Sequence, residues 1–121
     1  CGTWQYFSYA DIGAAGFWSY HCWMGPTPVL RLRDAVREGD RALAREITFE
    51  LSPPYEGPTP PDVRWRETAA KIAIRHAGYV DPGPLRHPFV NVPEAVDSNA
   101  RRLASRWQEL CQIYRPAVSA A

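Results

Sequence analysis

Gly16-Phe17-Trp18-Ser19-Tyr20 is the stretch that decides how this 121-residue chain is read. It has the short apolar character of a buried strand, and His21–Pro26 follows as a loop ending in Gly25-Pro26. Thr27–Glu38 then reads as a helix, and everything after it as helix or Pro-rich connection. A lone strand leaves backbone N–H and C=O groups unpaired, and burying them unpaired is costly. The stretch therefore points to sheet partners supplied from outside these residues.

Working outward, Cys1–Ser8 is aromatic-rich and reads as a strand end running into a loop, and Tyr9–Ala15 as a short helix closed by Gly13. In Thr27–Glu38, Val29, Leu32 and Val36 form one apolar face. Gly39 is a helix stop and Asp40 an N-cap for a helix over Arg41–Leu51, with Leu43, Ala44, Ile47 and Leu51 on one stripe. Ser52-Pro53-Pro54 ends that helix, because proline cannot continue the hydrogen-bond ladder. Tyr55–Pro61 is a loop, and Pro61 and Asp62 suit the first turn of a helix reaching His76. Its face holds Trp65, Ala69, Ile72 and His76, widened by Ala73, and Gly78 ends it. Tyr79–Pro93 is extended and rich in proline. A last helix runs from Pro93-Glu94 to Tyr114, carrying Val96, Ala100, Leu103, Trp107, Leu110 and Tyr114 at amphipathic spacing. The tail Arg115–Ala121 reads as frayed.

Composition narrows the function classes. The net charge is +1 and gives no support to a polyanion partner. Arg33 with Asp34, Arg37 with Asp40 and Arg106 with Glu109 read as mixed solvated faces, so a nucleic-acid partner is not expected. Three cysteines, Cys1, Cys22 and Cys111, form an odd set without C-x-x-C spacing, which fits free thiols in a reducing cytoplasm. No signal peptide is visible and no apolar run approaches membrane-spanning length. The chain begins at Cys1 without Met, as a partial sequence does. His21, Cys22, His76, His87 and Cys111 lack the paired spacing of a zinc site, so no metal and no cofactor is expected. Cys22 with His21 is a poor nucleophile pair, since neighbours on an extended segment point to opposite faces.

A strand entering a loop and then a helix is the βα unit of an α/β fold, and in a (β/α)8 barrel the loops after the strands carry the active site. On that logic Trp18 to Met24 is the functional segment. Gly13-Ala14-Ala15-Gly16-Phe17-Trp18-Ser19, Gly25-Pro26, Leu32-Arg33-Asp34-Ala35-Val36-Arg37-Glu38-Gly39-Asp40 and Ala42–Ile47 together resemble the last βα unit and following helices of the dihydrodipicolinate synthase/N-acetylneuraminate lyase superfamily. Ala77-Gly78-Tyr79, Gly83-Pro84-Leu85-Arg86-His87-Pro88-Phe89 and Val92-Pro93-Glu94 are similar to its trans-o-hydroxybenzylidenepyruvate hydratase-aldolase branch.

The resemblance implies a mostly α chain with one or two short strands: the C-terminal fragment of a (β/α)8 TIM barrel over residues 1–51, plus a C-terminal helical subdomain over 52–121. It implies a pyruvate-dependent lyase that forms a Schiff base, hydrating and then cleaving aryl-substituted unsaturated 2-oxo acids to an aromatic aldehyde and pyruvate. Its partners are then the 2-oxo acid and aldehyde, the rest of the barrel, and further copies in a tetramer. Trp18 matches a tryptophan that lines the substrate pocket in the branch, and Ser19 matches the serine that follows it; Ser19, Tyr20 and Trp23 join Trp18 as candidate substrate-binding residues on the same aromatic segment. An indole at Trp18 can stack on a planar aryl group. Arg66 stands where the branch has asparagine, and a guanidinium there can pair with a carboxylate.

No catalytic residue is assigned within the chain. Schiff-base chemistry needs a lysine with a lowered pKa. The chain has 13 arginines and one lysine, Lys71, which sits mid-helix off the apolar stripe. The family's lysine and its tyrosine proton shuttle belong to barrel strands upstream, so the chain alone is expected to be inactive. A dihydrodipicolinate synthase-like or sugar-acid dehydratase or aldolase fragment is the alternative within the superfamily. The alternative outside it is a non-catalytic helical module that docks a partner.

Overall fold

The computed structural model describes residues 1–51 and 63–116. Among them are five α-helices: α1 (Thr3–Tyr9), α2 (Thr27–Glu38), α3 (Arg41–Leu51), α4 (Arg66–Ala77) and α5 (Glu94–Ile113). Short 3-10 turns cover Ala10–Ile12, Tyr20–Met24 and Val63–Trp65. The predicted Ser52-Pro53-Pro54 stop, the Tyr55–Pro61 loop, the Pro61-Asp62 helix start and the end of the tail lie outside the described residues.

No β-strand forms among the described residues, and this overturns the barrel-fragment fold. The stretch Gly16–Tyr20 makes a single isolated parallel bridge, Trp18 to Gly2, with the Trp18 amide donating to the Cys1 carbonyl at 2.9 Å. The ladder stops there because α1 begins at Thr3, the residue after the bridge, and a helix spends its backbone groups on itself. At the other end the chain turns into a 3-10 helix at Tyr20. Trp18 is 88% exposed, so the segment is also not the buried strand its composition suggests. Cys1–Ser8, predicted to end a strand, is instead mostly α1. Its aromatic residues follow helical spacing, with Thr3 and Tyr6 buried on one side.

The chain divides into two compact units. Among the described residues one holds 1–22, 26–51 and 110–116, and the other 23–25 and 63–109. In the first, α2 and α1 each pack on α3. The α2–α3 hairpin follows from its sequence. Gly39 closes α2 in the left-handed region at φ 75°, where a side chain is strained. Asp40 then caps α3, its Oδ1 accepting the Leu43 N–H at 3.0 Å. Leu32, Ala35, Ala44, Ile47 and Leu51 are almost wholly buried, so the two faces read from the sequence meet each other. Trp4 Nε1 donates to the Leu51 carbonyl at 3.0 Å and occupies one of the free acceptors at the end of α3.

In the second unit, α4 runs to Gly78, which takes φ 74°. The apolar face of α4 is shifted from the expected one: Thr68, Ile72 and Ala73 are buried, while His76 is exposed. Val96, Ala100, Ala104 and Trp107 of α5 are buried, and Trp107 Nε1 donates to the Gly25 carbonyl at 2.9 Å. Lys71 Nζ donates to the Pro84 carbonyl at 2.6 Å, Arg75 donates to the Gly83 carbonyl, and Asp81 accepts the Gly83 N–H at 2.8 Å. Two cations of α4 thus pin the turn at Gly83. The peptide bond His87–Pro88 is cis, and Phe89 meets Trp65 edge to face at 5.7 Å.

Trp107→Phe removes a buried N–H donor while keeping most of the ring volume. It is expected to lower stability by about 2 kcal/mol, the size of a buried hydrogen bond lost with one partner left behind. Trp107→Ala is expected to cost about 3–5 kcal/mol. Urea unfolding followed by circular dichroism measures both.

Candidate functional site

The segment Phe17–Cys22 is held from several sides. Phe17 packs on Tyr6 of α1 with ring centroids 4.6 Å apart. The amide of Trp18 is bonded to Cys1, and the Thr3 hydroxyl donates to the Trp18 carbonyl at 3.5 Å. The Cys22 thiol donates to the Ser19 carbonyl at 2.8 Å. The Trp18 indole itself touches little and projects into solvent. Beside it, the Ser19 hydroxyl oxygen is buried with no hydrogen-bond partner, an arrangement that leaves a donor and acceptor uncompensated.

Tyr20 is half exposed and stacks on His21 at 4.0 Å. His21 is 6% exposed, with the Trp4 ring edge-on at 5.9 Å. Burial pushes the imidazole pKa down to about 4, because a charged ring loses its hydration there. The sequence puts His21 in a loop, as a lone core or surface histidine and not a metal ligand; the structure packs it as a buried ring. The signal that could have found it is its position between Tyr20 and Cys22 in an aromatic-rich run, which suits a packed ring better than a solvated one.

Trp18, Ser19 and Tyr20 thus share one anchored segment of the first unit. Trp23 and Arg66 belong to the second unit, where Trp23 is 54% exposed and Arg66 is exposed just before the second residue of α4, Glu67. Two open grooves lie elsewhere. One of about 520 Å³ is bounded by α1, Ala14-Ala15, the end of α2 and the start of α3, and includes Asp11 and Arg41. These two make a bidentate pair at 2.6 and 3.0 Å, which lowers the Asp11 pKa and raises that of Arg41. The other groove, about 540 Å³, is formed around Arg75, Gly78 and the turn at Gly83. None of the five candidate residues lines either groove. Among the described residues no group of three or more His, Cys, Asp or Glu is placed to hold a metal ion, and no helix is long and apolar enough to cross a membrane.

Over 102 residues the chain is 30% identical to a trans-2'-carboxybenzalpyruvate hydratase-aldolase of Nocardioides sp. (strain KP7), covering 80% of this chain and 31% of that protein. It also superposes on the solved structure of PhdJ bound to a substrate intermediate, with a TM-score of 0.77 and 26% identity over 93% of this chain and 37% of that one. The chain is thus similar to part of a hydratase-aldolase. It spans about a third of the length of the relatives it matches. No protein-family model matches it.

The buried His21 makes a pH dependence. Its folded-state pKa of about 4 lies below the ordinary 6.5, so the unfolded chain takes up the proton first as the pH falls. The stability that rests on neutral His21 is complete above pH 6.5 and is lost as the pH drops from 6.5 to about 4. The expected loss is about 3 kcal/mol at most. Comparing urea midpoints of the parent chain and His21→Gln at pH 7 and pH 4.5 isolates this group from the carboxylates. The difference between the two proteins should shrink at the lower pH.

Proposed function

We propose that this chain forms part of a Schiff-base-forming, pyruvate-dependent hydratase-aldolase that acts on aryl-substituted 2-oxo acids, with the Schiff-base lysine contributed by the rest of the enzyme. The observation that carries the reading is Trp18: a large indole 88% exposed on a backbone held at both its N–H and its C=O, next to a buried Ser19 hydroxyl without a partner. An exposed indole on a fixed backbone offers a flat face for an aryl ring. Similarity to a carboxybenzalpyruvate hydratase-aldolase supports the same substrate class. A polyhydroxylated sugar acid fits less well, since it needs many hydrogen-bonding side chains where this segment presents aromatics. Tyr20 extends the proposed aryl surface; Trp23 is a further proposed substrate-binding residue, and Arg66 is the proposed partner of a substrate carboxylate. The enzyme is proposed to work as an oligomer in the cytoplasm.

Lys71 supports the assignment of the reactive amine elsewhere. A Schiff-base lysine is obtained by burial, whereas Lys71 is half-buried on α4 and donates to the Pro84 carbonyl. The chain incubated with pyruvate and borohydride is expected to gain no adduct by mass spectrometry. A stoichiometric adduct on Lys71 would overturn the assignment. In the complete lyase, Trp18→Ala is expected to lower kcat/KM toward aryl substrates by about 1–3 kcal/mol of transition-state stabilisation, the scale of one lost stacking and packing contact. An unchanged kcat/KM removes Trp18 from the pocket.

A further inference from the structure

We infer that Thr3 is a positioning residue for Trp18, acting through the Trp18 carbonyl; this rests on the reading of Trp18 as the group that meets the aryl ring. Within this chain the Trp18 indole is 88% exposed, so what holds it here is its own backbone. That backbone is tied at two points to the residues that open α1. The Trp18 N–H goes to the Cys1 carbonyl at 2.9 Å, and the Trp18 carbonyl receives the Thr3 hydroxyl.

Thr3 is 5% exposed, and a buried hydroxyl finds a partner. Its partner lies 15 residues along the chain and not within its own helix. The neighbouring contacts reinforce the tie. Tyr6, one turn along α1 from Thr3, packs on Phe17, the residue before Trp18. Gln5 Oε1 accepts the Gly2 N–H at 2.7 Å and fixes the first turn that carries Thr3. Thr3 thus sits where the rigid end of α1 is joined to the segment that presents the indole.

Thr3→Val keeps the shape and removes the hydroxyl. In the complete lyase it is expected to raise KM for an aryl-substituted 2-oxo acid by roughly two- to threefold while leaving an alkyl-substituted one unchanged, the low end for one lost hydrogen bond, because the contact is long at 3.5 Å. Thr3→Ser should restore the aryl value. In a Trp18→Ala background Thr3→Val should add nothing, because both changes then act through the same group. On the 121-residue chain, amide hydrogen exchange at Trp18 should quicken in Thr3→Val with α2 amides unaffected. An equal loss for aryl and alkyl substrates marks a merely structural role and overturns the inference. So does an aryl KM that responds to Trp18→Ala but not to Thr3→Val. If neither variant moves it, the underlying reading of Trp18 fails as well.

Discussion

The Trp18 amide gives its proton to the Cys1 carbonyl, and the arrangement of the first unit's N-terminal part depends on that bond. It closes the chain between Gly2 and Trp18 into a loop whose two ends are fixed against each other. Within the loop, α1 and its 3-10 extension turn at Gly13, whose φ of 98° suits a residue without a side chain. Beyond it, the chain is free to coil through Tyr20–Met24 and enter α2 at Pro26-Thr27. One backbone pair is enough for this because aromatic packing does the rest: Tyr6 on Phe17, and Trp4 and Tyr20 around His21.

The same constraint separates this segment from a sheet. Strand backbone needs neighbours along its whole length, and here the neighbour turns into a helix after one residue. Phe17-Trp18-Ser19 is left extended, anchored at a few atoms and open on the side of the indole. That is a poor way to bury a hydrophobic run and a good way to hold one large flat side chain in the open. The role proposed for Trp18 starts from that geometry and from similarity to part of a hydratase-aldolase.

Charge plays a local part throughout. Arg41 pairs with Asp11 and also covers the Phe7 ring at 4.9 Å, tying the start of α3 to the end of α1. Arg33 with Asp34 and Arg106 with Glu109 pair at the surface as the sequence suggested; such exposed pairs add little stability. Lys71 and Arg75 hold carbonyls of the turn at Gly83, so the one lysine of the chain has a structural task.

Much of the helical framework was legible because its signals are local. Gly39 and Asp40 mark the α2–α3 junction through backbone conformation and capping, and the apolar spacing of Leu32, Ala44, Ile47, Val96, Trp107 and Leu110 fixes which faces are buried. Helix ends and apolar stripes are properties of a dozen neighbouring residues. The candidate aromatics Trp18, Tyr20 and Trp23 could be named from the sequence. What the sequence by itself determined, then, was where α2, α3 and α5 run and which sides of them are apolar. Only the tertiary structure decided that Gly16–Tyr20 is not a strand, that His21 is buried while Trp18 is bare, and that Ser19 has a hydroxyl without a partner. Those depend on what stands next to the segment in space, and for backbone hydrogen bonds and burial alike the neighbour, not the residue, sets the outcome.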